Sequence, residues 1–257
     1  MIKEHILGVF HGCEAKIVYH DALGSPTNSF LLMLPEAMNS ISSRHGFRKV
    51  KALINCYIPD AICEYMHDHS VMWEQTYRKV LKELLEEYRL DFNDIAFLST
   101  GVSMENLAFS EQVYEDLWVV VFTTAGVKNN ALRIGVDSAS GIERNGKFKR
   151  IGTINNILLT GTKLDNAALV GAVINMTEAK NVALQDLDIR CSSNKDLLAT
   201  GTGTDQLMVV PGKGERCTYV GGHTKIGEMI ARATTSSTVL AIERSKAQWQ
   251  KSHPFEK

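Results

Sequence analysis

Apolar and polar positions recur along this chain with two periods, one near two residues and one near 3.6, so strands and helices are both predicted. Ala15 to His20 and Phe30 to Leu34 read as short strands. The turn-forming stretch Asp21 to Asn28, with Gly24 and Pro26, separates them and predicts a hairpin. Val50 to Ile58 is a further strand, stopped by Pro59, and carries Asn55 in its middle. A strand-interior Asn is disfavoured, so it needs a buried partner or a task. Ile95 to Leu98 is a short strand. Leu107 to Val113 and Leu117 to Thr124 form a second hairpin around Tyr114-Glu115-Asp116. Trp118 to Phe122 is continuously apolar and should be covered on both faces. Ile154 to Leu159 and Leu207 to Val210 complete the strands, and Ser138 to Lys149 reads as an exposed loop.

Three stretches follow the helical period. From a cap at Asp68 or Ser70, Tyr77, Val80, Leu81, Leu84, Leu85 and Tyr88 share a face, with Glu74, Lys82, Glu83 and Glu87 mostly turned away. Asp165 is positioned to cap a helix running to about Leu187, whose stripe is Leu169, Val173, Met176, Lys180, Leu184 and Leu187. Lys180 therefore lies on the apolar stripe. Glu178, two residues earlier, falls about 200° around the helix, so the two should not converge on one pocket. Thr224 can cap a third helix marked by Ile226, Met229, Ile230 and Ala233. Thr234 to Thr238 interrupts its apolar pattern and predicts a break, with Val239 to Trp249 resuming it. No repeat or low-complexity linker divides the chain. The expected fold class is α+β: a single domain over residues 1–257, mixed sheet strands covered by long helices, arranged as a layered α/β sandwich.

Composition narrows the function classes. The chain has 257 residues, 44% hydrophobic and 22% charged, with a formal net charge of −1. That charge gives no argument for nucleic acid, and no apolar run reaches the roughly 18 residues of a membrane span. The start, Met-Ile-Lys-Glu-His, shows no secretory signal. Five scattered cysteines without CxxC spacing fit reduced thiols in a cytoplasmic protein. His67-Asp68-His69 is a candidate metal cluster without a third ligand at recognisable spacing, so no metal site is assigned.

The candidate chemistry concentrates between Ile151 and Asp205. Gly152-Thr153-Ile154-Asn155-Asn156 opens this stretch and Thr200-Gly201-Thr202-Gly203-Thr204-Asp205 closes it. Small residues and hydroxyls at such density suit a backbone that approaches a ligand, or equally a tight loop whose hydroxyls bond its own backbone. The loop precedes a strand and lacks Gly-Lys-Ser/Thr, so it is not a nucleotide-triphosphatase loop. Thr124 to Ala131, at another strand end, is a second place where ligands are met. His223 follows two glycines at a helix start, where an imidazole is exposed enough to transfer protons or simply to occupy the turn.

The blocks Gly152-Thr153-Ile154-Asn155, Thr177-Glu178-Ala179-Lys180, Ala199 to Asp205 and Gly222-His223-Thr224-Lys225-Ile226-Gly227-Glu228, with Ile41-Ser42-Ser43 and Leu53-Ile54-Asn55, resemble the adenosylcobinamide amidohydrolase family (CbiZ type). The resemblance covers about Phe30 to Ala233. It departs at Asn156 and at the Gly161-Thr162-Lys163 turn. A more distant likeness, to the self-processing aminopeptidase and ornithine acetyltransferase sandwich, rests on the Gly-Thr strand and the long helix behind it. The family resemblance implies hydrolysis of the amide that joins aminopropanol to the corrin ring of adenosylcobinamide. The products are then adenosylcobyric acid and 1-amino-2-propanol, and the activity belongs to corrinoid salvage. No cofactor is expected beside the corrinoid substrate. Neither nucleic acid nor membrane is expected as a partner, and an oligomer is compatible with the sequence.

The expected catalytic set is His223 as general base and then acid, Asp205 orienting it, Thr202 at the oxyanion site or as an alternative nucleophile to water, and Lys180 reaching in from its helix. Ser42, Asn55, Asn130, Thr153, Asn155, Thr204 and Lys225 are the expected substrate-binding residues. Asn55, Asn130, Asn155, Thr202, Thr204 and His223 are expected to converge on one cleft, with Lys180 reaching it from its helix. Competing readings are a corrinoid-binding or sensing protein without hydrolysis, and a phosphate-ester or nucleotide-binding enzyme using the Gly/Thr loop.

Overall fold

The computed structural model describes residues 2–63, 73–139 and 153–252. The candidate metal cluster at His67-Asp68-His69 and most of the expected loop from Ser138 to Lys149 lie outside these residues.

The N-terminal half is a run of antiparallel strands. β1 (Lys3–Phe10), which the alternation did not announce, pairs with β2 (Cys13–Ala22). β2 pairs with β3 (Ser25–Ser42), and β3 with β4 (Gly46–Tyr57). The predicted turn shrinks to Leu23 and Gly24, whose φ angles of 56° and 82° are those of a two-residue hairpin with the twist strands prefer. β3 is far longer than the predicted strand because the polar run at Asn39 to Ser43 continues it. Its register shifts between Met33 and Met38, around Pro35, which has no N–H to give a ladder.

After β4 come α1 (Trp73–Val80) and α2 (Lys82–Glu87), two segments where one helix was expected. β5 (Ile95–Thr100) pairs parallel with β4. β6 (Ala108–Tyr114) and β7 (Leu117–Ala125) form the second hairpin, and short β8 (Ala131–Leu132) follows. β9 (Ile154–Thr160) leads through β10 (Lys163–Leu164) into α3 (Asn166–Asp186). Asp165 caps α3 by accepting the Ala168 N–H at 2.9 Å. β11 (Gly201–Thr202), β12 (Gln206–Val210) and β13 (Arg216–Cys217) precede α4 (Lys225–Ser252). Thr224 caps α4 through its hydroxyl, which accepts the Gly227 N–H at 3.1 Å.

The main sheet runs β1-β2-β3-β12-β9-β7-β6, with β4 and then β5 on the far edge of β3. β3 serves both halves: its first part pairs with β2, and its last residues, Ile41 and Ser42, pair with β12. The sheet curls at the β3 register shift and folds its halves face to face. Phe30, Leu32, Leu53 and Leu98 from one half thereby meet Val120, Phe122, Ile157 and Met208 from the other. The alternate residues of the same strands face outward. Leu31, Ile54 and Phe97 pack under Tyr77, Leu81 and Leu84 of α1, α2 and their junction. Val121, Leu158 and Val209 pack under Leu169 and Met176 of α3 and Met229 and Ile230 of α4. The protein is thus an α+β fold, layered helix, sheet, sheet, helix. Each fully buried Leu or Phe in these layers contributes about 1.5–3 kcal/mol of transfer free energy.

One predicted break is absent. α4 is continuous through Thr234 to Thr238, and Thr234, Ser237 and Thr238 are fully buried. Ser237 and Thr238 face polar residues on the sheet. The hydroxyls of Thr123 and Ser237 lie 2.8 Å apart, and Asn156 Nδ2 donates to Thr123 Oγ1 at 2.8 Å and to Thr238 Oγ1 at 3.3 Å. The interruption in apolar pattern is a polar seam within a helix. Among the described residues no helix is long and apolar enough to cross a membrane.

Candidate functional site

The Gly/Thr loop is held by one carboxylate. Asp205 Oδ1 accepts from the Ile154 N–H at 3.0 Å and from Thr202 Oγ1 at 2.5 Å. Its Oδ2 accepts from the Thr202 N–H at 3.1 Å and from Lys180 Nζ at 2.5 Å. The Lys180 side chain is 8% exposed and that of Asp205 18%, so the pair is largely withdrawn from water. Gly201 is required here, since a Cβ would stand 2.3 Å from Asp205 Oδ2 and 2.8 Å from Lys180 Nζ. Lys180 reaches the loop from the buried stripe of α3, while Glu178 is exposed. This buckle ties the loop to the head of β9 and, through the pairing of Thr202 with Ala131, to β8.

A polar chain runs from the head of β9 into the space between the sheets. Thr153 Oγ1 lies 2.5 Å from the Thr204 carbonyl oxygen and 3.1 Å from Asn155 Oδ1. Asn155 Nδ2 donates to Asn55 Oδ1 at 2.7 Å and to the Ser99 carbonyl at 3.2 Å. Asn55 Nδ2 donates in turn to Thr124 Oγ1 at 2.9 Å. The chain cross-links β4, β5, β7 and β9 at one end of the sandwich. Asn55 is 1% exposed and Asn155 is fully buried, and the amide nitrogens of both are taken by the chain itself. The two residues brace the wall that carries Thr153.

Next to that wall is a cleft of about 390 Å³, lined among others by Thr100, Gly101, Gly126, Lys128, Asn130 and Thr153. It opens where β5 and β7 end and β9 begins. Asn130 is 9% exposed, and its Nδ2 has no hydrogen-bond partner among the described residues. Of the expected binding residues, Asn130 and Thr153 line this cleft, and Thr204 supports it through its carbonyl. Thr100 and Gly101 were not anticipated. The signal was present, because Ser99-Thr100-Gly101 is a run of small residues at a strand end, as Thr124-Ala125-Gly126 is.

Three expected members lie elsewhere. His223 is exposed, in the turn between Gly221 and Thr224. That turn borders a recess with Leu117, Arg216, Tyr219 and Lys225, at the opposite end of β7 from Ala125. Ala125 pairs with Ile154 at the cleft end, and nine strand residues separate the two ends by roughly 25 Å. His223 therefore does not share the cleft. Asp205 has no part in orienting it, since Lys180, Thr202 and Ile154 occupy its oxygens. Lys225 donates to Glu228 at 2.6 Å in the first turn of α4, also at the far end. Ser42 is buried and its Oγ accepts the Arg44 N–H at 3.1 Å, a contact within the hairpin turn. The convergence predicted for His223 fails because the Gly-Gly-His-Thr motif is the entry to a helix that begins at the other end of the sandwich.

The cleft brings together the Thr153 hydroxyl, the Asn130 amide, the Asp60 carboxylate, the Cys63 thiol and Lys128, whose ammonium lies over the Trp249 ring. Among the described residues no group of three His, Cys, Asp or Glu side chains stands where it could hold a metal ion.

Known proteins resemble this chain in sequence and, more distantly, in fold. An uncharacterised protein of Methanocaldococcus jannaschii is 38% identical over 233 residues, covering 86% of this chain and 88% of its own. The adenosylcobinamide amidohydrolase of Methanosarcina mazei is 34% identical over 155 residues, 59% of this chain and 62% of its own. Among solved structures, a Burkholderia beta-aminopeptidase aligns with a TM-score of 0.40 and 10% identity, over 85% of this chain and 78% of that one. The model of the adenosylcobinamide amidohydrolase family (CbiZ) matches residues 15–249, and the chain belongs to that family.

Proposed function

We propose that this protein hydrolyses the aminopropanol amide of adenosylcobinamide, giving adenosylcobyric acid and 1-amino-2-propanol, and so serves corrinoid salvage. The family match across residues 15–249 carries this reading. The cleft supports it. A corrin is much larger than 390 Å³, so the side chain bearing the amide enters and the ring rests across the mouth. Within the cleft, water adds to the amide carbon. The carbonyl π pair moves to oxygen, and collapse of that intermediate expels the amine, which takes up the proton that the attacking water releases. The Thr153 hydroxyl gives its own proton to the wall, which leaves an oxygen lone pair to orient the attacking water. Thr202, whose hydroxyl is engaged by Asp205, is assigned to the loop's architecture and not to attack. Lys180 and Asp205 act with it as positioning residues. The reading is tested by incubating the purified chain with adenosylcobinamide and following both products by chromatography. Stoichiometric 1-amino-2-propanol and adenosylcobyric acid are expected. Corrinoid binding without release of the amine would leave a binding protein and remove the hydrolase.

A further inference from the structure

Most buried amides in folded proteins are hydrogen-bonded, and leaving one donor unmade costs about 1–3 kcal/mol. Asn130 is an exception that sits in a cleft: nine-tenths buried, with Nδ2 unpartnered among the described residues. Its neighbours show that it is held there. Ala131 pairs with Thr202 across β8 and β11, and the Ala131 carbonyl accepts the Ser192 N–H at 2.8 Å. Thr202 is clasped by the same Asp205 carboxylate that takes the N–H of Ile154, directly after Thr153. Asn130 and Thr153 are thus fixed to one buckle and line one cleft. An unpaired donor and a buried hydroxyl on the walls of one cleft have the form of a site prepared for charge that appears only during reaction.

We propose that the Asn130 side-chain amide donates to the oxygen of the scissile carbonyl as negative charge develops on it, and is a catalytic residue of this cleft. This rests on the amide-hydrolysis reading above. The donor neither loses nor gains a proton. It stabilises the tetrahedral oxyanion and releases it when the carbonyl re-forms.

The test compares wild type with Asn130→Ala and Asn130→Asp in release of 1-amino-2-propanol from adenosylcobinamide, between about pH 5 and 8, with thermal midpoints measured alongside. Asn130→Ala should lower kcat about a hundredfold or more while KM stays within about twofold. Its midpoint should hold or rise, because no partner is lost. Asn130→Asp should be slow at neutral pH and recover as pH falls, since a protonated carboxyl regains a donor. Asp60, Cys63 and Lys128 also line the cleft and are unchanged in both variants, so the difference between the two pH profiles belongs to position 130.

A raised KM with intact kcat would make Asn130 a ground-state contact and overturn the proposal. So would a fall in midpoint alongside the loss of rate, with no acid recovery in the Asp variant. An independent reading comes from the full chain with labelled asparagine amides, titrated with adenosylcobyric acid, whose carboxylate offers the acceptor. The Asn130 amide resonance should move. If wild type releases no amine, the hydrolase reading fails by itself, and an unmoved Asn130 resonance in this titration then overturns the present assignment.

Discussion

Asp205 gathers four donors, one of them the ammonium of a buried lysine. Removing one partner of a buried ion pair costs about 3–5 kcal/mol, chiefly because the other charge is stranded. Asp205→Ala should therefore destabilise the protein by about that amount in urea unfolding. Adding Lys180→Met should restore part of the loss, since it removes the stranded cation. A double variant less stable than Asp205→Ala alone would show that the lysine is held by something other than this pair. A second residue-scale effect concerns pH. His45 lies against Phe97 behind the β3–β4 turn, and burial, with Arg44 and Arg48 nearby, pushes its pKa down to about 4. Burial lowers that of His20 as well. A histidine that stays neutral in the fold but charges when unfolded adds stability that is complete above about pH 6.5. This stability is lost as pH falls from there towards 4. Denaturation midpoints at pH 7 and pH 5 should differ, and His45→Gln should narrow the gap without closing it, because His20 remains. An unchanged gap would remove His45 as a contributor.

Elements here are ordered by what they face. α4 looks interrupted in sequence because Thr234, Ser237 and Thr238 fall where apolar residues are expected, yet the sheet beneath offers Thr123 and Asn156 to meet Ser237 and Thr238. The same substitution should then have opposite outcomes at neighbouring sites. Thr123→Val removes a hydroxyl that joins Asn156 to Ser237 and should cost about 1–3 kcal/mol. Thr234→Val removes a buried hydroxyl without a partner and should be neutral or stabilising. Urea midpoints of the two variants, at unchanged m, check this. Equal losses at both positions would mean that volume and not hydrogen bonding sets the cost. β3 makes a related point. Its length and its bend at Pro35 were hidden by polar residues that pair with β4 and β12 while carrying no strand-like alternation.

Across the whole molecule, the sandwich has two ends that the sequence motifs do not distinguish. Thr153, Asn130 and the Gly/Thr buckle occupy one, and His223 with Lys225 the other. His223→Ala should therefore leave the rate of amine release close to wild type. A loss of a hundredfold would demand that the turn before α4 reach the cleft during turnover, and would overturn this division of the molecule.

Periodicity determined most of the elements, because burial on one face of a strand or helix leaves its period in the order of residues. It also placed Lys180 on the buried side of α3 and Asp165 at its cap, since helical geometry is local. The density of Gly and Thr marked the loop around Asp205 without saying what the loop held. Only the tertiary structure decided that Asn55 and Asn155 brace a wall, that Asp205 clasps Lys180, and that the Asn130 amide nitrogen has no hydrogen-bond partner among the described residues. Those facts depend on which strand ends meet when the sheet folds over, and contacts between residues 50 to 100 positions apart leave no period in a sequence. The same reason hid the distance of His223. A polar residue at a helix start looks alike at either end of a sandwich, and only the direction of β7 separates the two.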